Sequence, residues 1–163
     1  MTIYFGYEKG QVMQALRYHF ISKPEIRFML IAVNVFAIAS ITLYAFSKIT
    51  PMAFFVGSLL WIVLMISFWF ILPSLVYRRA ETFKHEFSME FESDGFALNH
   101  ERGGKSWPWT ALSTFMESPH FFHLYFDPRS FFLVPKSGFK DKEEISELRQ
   151  MLNEKVKRKS IKG

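Results

Sequence analysis

Two stretches of chain without a charged side chain, the 20 residues Phe28–Ser47 and the 29 residues Ile49–Tyr77, restrict what this polypeptide can fold into more than anything else in it. A helix rises about 1.5 Å per residue and the hydrocarbon layer of a bilayer is about 30 Å thick, so the first stretch has the length of one crossing. The second is longer than one crossing needs. Thr50-Pro51 opens it and Pro73 stands near its end, which predicts a second helix over about residues 52–71. Helices apolar all round must be covered by lipid or by much surrounding protein, and a chain of 163 residues supplies too little protein for the second solution. The run starts only at Phe28 and has no small-residue cleavage pattern behind it, so it reads as a retained hairpin over residues 28–77, with spans at about 28–47 and 52–71.

Apart from Lys48, every charged residue lies in the first 27 positions or after Tyr77. Lys9, Arg17, Lys23 and Arg27 precede the first span and Arg78, Arg79 and Lys84 follow the second, so the positive-inside rule places both termini in the cytoplasm. The outer connection, Ser47 to Pro51, is too short for a binding module. A net charge of +5 then reads as attraction of the flanks to anionic lipid, with no nucleic-acid partner expected. The absence of cysteine excludes disulfides and thiolate metal sites. No ionisable group lies in either span, which argues against a proton or ion relay. Asn34 is expected to hydrogen-bond across to the partner helix, and Ala53-x-x-x-Gly57 offers a small face for helix–helix contact, within the hairpin or in a homo-oligomer.

The segment 1–27 contains a short amphipathic helix, Tyr7 to Phe20, with Val12, Leu16 and Phe20 at four-residue spacing, which suits either the bilayer surface or, the favoured reading, docking on the C-terminal domain. Ile3-Tyr4-Phe5 is placed as an edge strand of that domain's sheet. From His85 the periodicity changes to two: Phe87, Met89 and Phe91 alternate with Ser88, Glu90 and Glu92. Ser93-Asp94-Gly95 turns the chain into a strand from Phe96 to about His100, and Gly103-Gly104 turns it into a third that must be an edge or end at Pro108. Leu112 and Phe115 continue the core, Phe122, Leu124 and Phe126 mark another strand, and Asp127-Pro128-Arg129-Ser130 turns into Phe131–Pro135. A helix from about Asp141 to Lys157 closes the chain, with a capping box at Asp141 and Glu144 and an apolar stripe of Ile145, Leu148, Leu152 and Val156. The expected fold is therefore a membrane α+β protein. A two-helix transmembrane hairpin precedes a small antiparallel β domain over residues 85–159, capped by a C-terminal amphipathic helix.

Phe91-Glu92-Ser93-Asp94-Gly95-Phe96, Trp107-Pro108-Trp109-Thr110-Ala111-Leu112, Glu117, Phe122-His123-Leu124-Tyr125 and the run Phe132 to Phe139 resemble the YcxB-like family, whose layout is also similar. Pro135-Lys136-x-x-Phe139 is the most specific part. The resemblance implies a bacterial inner-membrane protein whose domain is similar to pleckstrin-homology or GRAM-type barrels. It brings no catalytic residues.

Chemistry is sparse in the remainder. His120-x-x-His123 on a strand directs its two rings to opposite faces, a poor start for a metal site. Glu90 and Glu92 alternate outward as solvated carboxylates, and no nucleophile elbow or phosphate loop occurs. Trp107, Trp109 and Phe121-Phe122 read as core, because a small domain needs large side chains to bury enough area. Lys105, Arg129, Lys136 and Lys140, with the tail residues Lys155, Lys157, Arg158 and Lys159, form the candidate surface for lipid headgroups or a partner. The expected function is a non-enzymatic module without cofactors, presented by the membrane to a protein partner or lipid headgroup in a regulatory, scaffold or immunity-type role. The alternatives are an accessory subunit of a membrane complex or transporter and, last, a membrane-associated enzyme.

Overall fold

The computed structural model describes residues 1–101 and 103–156. The chain divides into two compact units, one of Met1–Ala15 joined by everything from Glu81 on, the other Leu16–Ala80. The second unit is thus an insertion in the first.

The inserted unit is helical. Helix α1 (Lys9–Ile21) begins in the first unit and ends in the second, and α2 (Pro24–Ala45) follows after two residues. It starts four residues before Phe28, because Pro24 at its first turn has the φ a helix needs and Glu25 suits the helix N-terminus. Lys48 N–H reaches Leu43 O at 2.8 Å and Ser47 N–H reaches Tyr44 O at 2.9 Å around a left-handed Ser47, a Schellman ending. Thr50 then caps α3 (Pro51–Ile66) by accepting from Ala53 N–H, and Tyr44 stacks on Phe54 across the turn at 4.5 Å. Neither α2 nor α3 buries a single residue, although both are almost wholly apolar.

The second apolar helix does not stop near Ile71 as expected. It runs through a π-helical turn (Ser67–Ile71) into α4 (Leu72–Arg79), giving helices of 22 and 29 residues that are long and apolar enough to cross a membrane. Pro73 lies inside this helix and cannot donate to the carbonyl of Trp69 four residues back. The π-turn takes up the ring, with Leu72 N–H reaching Ser67 O, and Arg17 Nε donates to Trp69 O at 2.9 Å. Its guanidinium carbon stands 5.8 Å and 5.5 Å from the ring centres of Trp69 and Phe70. A side chain from α1 thus replaces the donor that proline removes. Arg17→Met is expected to lower stability by about 1–2 kcal/mol, most of it recovered in the Arg17→Met/Pro73→Ala double variant, where residue 73 regains an N–H. Denaturation of the four proteins in detergent measures this coupling; strictly additive effects would remove Arg17 from the role.

The first unit is built of two antiparallel sheets and a helix. β1 (Thr2–Phe5), β2 (Phe87–Phe91), β3 (Gly95–His100) and β4 (Gly103–Pro108) pair in that order, with Ile3 opposite Met89, Met89 opposite Leu98, and Phe96 opposite Trp107. β5 (Thr114–Glu117), β6 (Phe121–Tyr125) and β7 (Phe131–Pro135) form the second sheet. Gly95 is required at the first turn, because a Cβ there would stand 2.3 Å from Trp107 O. Gly103 opens β4 at φ +136°, a conformation side chains resist. α5 (Lys142–Lys155) is capped as its sequence predicts: Asp141 accepts from Glu144 N–H at 2.9 Å, while Glu144 reaches back one residue further than expected, to Lys140 N–H. Leu148, Leu152 and Val156 are buried with Phe91, Phe96, Trp109, Phe115, Phe122 and Val134 in one core. Of the proposed helix to Lys157, the last residue lies outside those described.

Candidate interaction surface

The first unit holds its most constrained polar chemistry where β5, β7 and α5 meet. Glu117 ends β5, and Arg149 of α5 grips it with Nε at 3.0 Å from Oε2 and Nη2 at 2.8 Å from Oε1, a bidentate pair. Lys136, just past β7, donates to the same Oε1 at 2.7 Å and lies 5.2 Å from the Phe122 ring centre. The hydrogen bonds from Arg149 foremost, then the hydrogen bond and charge of Lys136, outweigh burial and hold the Glu117 carboxyl down to about 2. Three residues later, Phe139 enters the core between Phe91 and Phe122, with ring centres at 6.3 Å and 6.4 Å. The spacing Pro135-Lys136-x-x-Phe139 thus ends a strand, anchors a carboxylate and plugs the core within five residues.

A family model described as YcxB-like protein matches residues 91–152, which includes that run together with Glu117 and Arg149. Residues 91–152 form a YcxB-like domain. No curated protein and no solved structure gives a significant match to the chain.

Among the described residues, the candidate basic side chains stand in different settings. Arg129 lies in the turn before β7 and Lys136 after it, at opposite ends of a five-residue strand. Lys136 is half-buried in its ion pair, Lys140 is exposed before α5, and Lys155 is exposed in the last turn of that helix. Lys157, Arg158 and Lys159 lie outside the described residues. Lys105 is exposed on β4, its Nζ 5.4 Å from the centre of the Trp107 ring. The turn at Asp127 is locked locally: its Oδ1 accepts from Arg129 N–H and Ser130 N–H, which holds the carboxyl below the usual range.

Of the aromatic residues read as core, Trp109, Phe121 and Phe122 are buried, and Trp109 Nε1 donates to Glu92 O at 3.1 Å. Trp107 is different. It is half-buried in an open cluster with Phe126 and Phe132, ring centres 5.4–5.6 Å apart. Next to this aromatic notch a cleft of about 570 Å³ is floored by Phe87, Leu98 and Phe132 and rimmed by Lys84, His85 and His100. Nothing in the sequence marks Phe126 and Phe132 as surface residues, because alternation alone cannot tell a strand end that reaches the rim from one that is covered. His123 is fully buried, with Nε2 3.0 Å from Ser118 Oγ, whereas His120 is exposed, so the two do not meet.

In the inserted unit, Asn34 does not bond across the hairpin as expected; its Nδ2 donates to Leu30 O at 2.8 Å, one turn back in α2. A carboxamide in an apolar helix satisfies itself most cheaply on its own backbone. Ala53 is exposed, and a Cβ on Gly57 would meet nothing within 4 Å. Gly57 instead lines a groove of about 280 Å³ with Ala37, Ser40 and Trp61.

Proposed function

We propose that this chain is a membrane-anchored, non-enzymatic interaction module: the α2–α4 hairpin spans the bacterial inner membrane and holds the YcxB-like domain against its cytoplasmic face, where it engages a protein partner or lipid headgroups. The observation that carries the reading is the division of the domain around the hairpin. Residues 1–15 and those from Glu81 on build one unit, so both ends of the inserted segment must emerge on the same side of a bilayer. Two crossings meet that requirement and one does not. Apolar helices of 22 and 29 residues, almost wholly unburied, supply the crossings, and the basic residues outside them favour the cytoplasmic side. Sheets of four and three antiparallel strands followed by one helix support the likeness to pleckstrin-homology and GRAM-type barrels.

The groove beside Gly57 and Ser58 favours a second reading, an accessory subunit whose hairpin packs against another protein's transmembrane helix. A stoichiometric partner in mild detergent that is lost on Gly57→Leu would establish it. For the leading reading, the full chain is expected to stay in the pellet when membranes are washed with alkaline carbonate, to be released by detergent, and to resist protease added outside intact cells. Recovery in the carbonate supernatant would refute the anchoring. Cleavage from outside would reverse the orientation.

A further inference from the structure

Strand β4 is an edge of the four-stranded sheet, and all its residues are exposed except the half-buried Trp107. Which of its backbone groups face away from β3 follows from two turn hydrogen bonds. Glu92 N–H bonds Gly95 O, so Gly95, Ala97 and Asn99 direct their backbone groups to β2; Trp109 N–H bonds Asp94 O, so Phe96, Leu98 and His100 pair with Trp107, Lys105 and Gly103. The N–H and C=O of Gly104 and Ser106 therefore point outward, joined by the Pro108 carbonyl. Among the described residues no strand takes them up. Pro108 has no N–H and limits any added strand to this short window.

Side chains beside the window define what fits it. Lys105 and Trp107 lie on the inward face of β4, Lys105 above the Trp107 ring and Trp107 against Phe126 and Phe132. A second copy of β4 satisfies all four outward groups of Gly104 and Ser106 only in the antiparallel register centred on Lys105. That register sets two lysines directly opposite each other, which is unfavourable. A strand with a carboxylate at that position is attracted instead, and its residue two places away on the same face meets the aromatic notch.

We infer that the β4 edge is a strand-addition site for an extended protein segment carrying an acidic residue and an apolar residue two positions apart. The segment hydrogen-bonds to the backbone of Gly104 and Ser106, sets its carboxylate against Lys105 and seats its apolar side chain on Trp107, Phe126 and Phe132. This rests on the interaction-module reading and names the partner's chemistry.

The experiment uses the full chain in lipid nanodiscs as bait for a phage-displayed library of random short peptides. Enriched peptides are expected to carry Asp or Glu two positions from a large apolar residue. Ser106→Pro removes an outward N–H and leaves the β3 ladder intact, and it is expected to weaken an enriched synthetic peptide about tenfold. Lys105→Glu, a substitution at an exposed side chain that leaves the fold alone, is expected to shift the selected acidic position to Lys or Arg. Three results would overturn the inference: no enrichment, enriched peptides indifferent to both variants, or a dimer of the chain that Ser106→Pro dissolves. Extraction by carbonate, in contrast, would overturn the membrane reading and leave the edge as it is.

Discussion

A polypeptide of residues 81–163 alone is expected not to unfold cooperatively, and a peptide of residues 1–15 added separately is expected to restore a melting transition. Ile3 and Phe5 are 1% and 7% exposed, and each such burial contributes about 1.5–3 kcal/mol. Their loss, about 3–6 kcal/mol together, is comparable with the whole stability of a small domain, about 5–15 kcal/mol. Tyr7 adds to the deficit, because its hydroxyl donates to Leu133 O at 2.7 Å, and desolvation there pushes the phenol well above the usual range. Removing β1 also bares the edge of β2 at Phe87, Met89 and Phe91, a strongly apolar edge that invites aggregation. Circular dichroism and scanning calorimetry of the two-part mixture measure the effect. A cooperative transition of the shorter polypeptide equal to that of the mixture would show that the N-terminal segment merely decorates the sheet.

That expectation exposes where the sequence is legible. Charge exclusion marked the two apolar helices, alternation marked β2 and β6, the Ser93-Asp94-Gly95 turn marked the start of β3, and Asp141 with Glu144 marked the start of α5, because each signal is carried by residues within one element. What escaped is carried by residues far apart. Pro73 reads locally as a stop, and only Arg17, bonded to the Trp69 carbonyl 52 residues further on, shows how the helix passes it. Lys136 reads locally as one of several exposed lysines, and its true surroundings are a carboxylate 19 residues earlier and an arginine on the following helix. Arg149 carried no signal of its own, sitting beside Leu148 on a helix whose other basic residues are exposed. Ile3-Tyr4-Phe5 was legible as an edge strand of the sheet beyond the hairpin, whereas its choice of β2 as partner, 80-odd residues on, appears only in three dimensions.

The Glu117 cluster gives the second large effect, with a sign fixed by its chemistry. Arg149 and Lys136 hold the carboxyl at about 2 against an ordinary 4.5, so the folded state binds this proton more weakly than the unfolded chain. The stabilisation is therefore complete above about pH 4.5, fades as the pH falls toward 2, and is absent below. Such a displacement is worth on the order of 3 kcal/mol in an insulated site, and screening around Arg149, whose side chain is 38% exposed, reduces it to about 2 kcal/mol. Glu117→Gln keeps the size of the side chain and removes the charge. It is expected to lower stability by about 2 kcal/mol at pH 7 and by little near pH 2, the two stability curves converging in between. Denaturant titrations of both proteins in the same detergent across that range measure the difference. A deficit of equal size at pH 7 and near pH 2 would mean that Glu117 fastens α5 to the sheet by packing, not by charge.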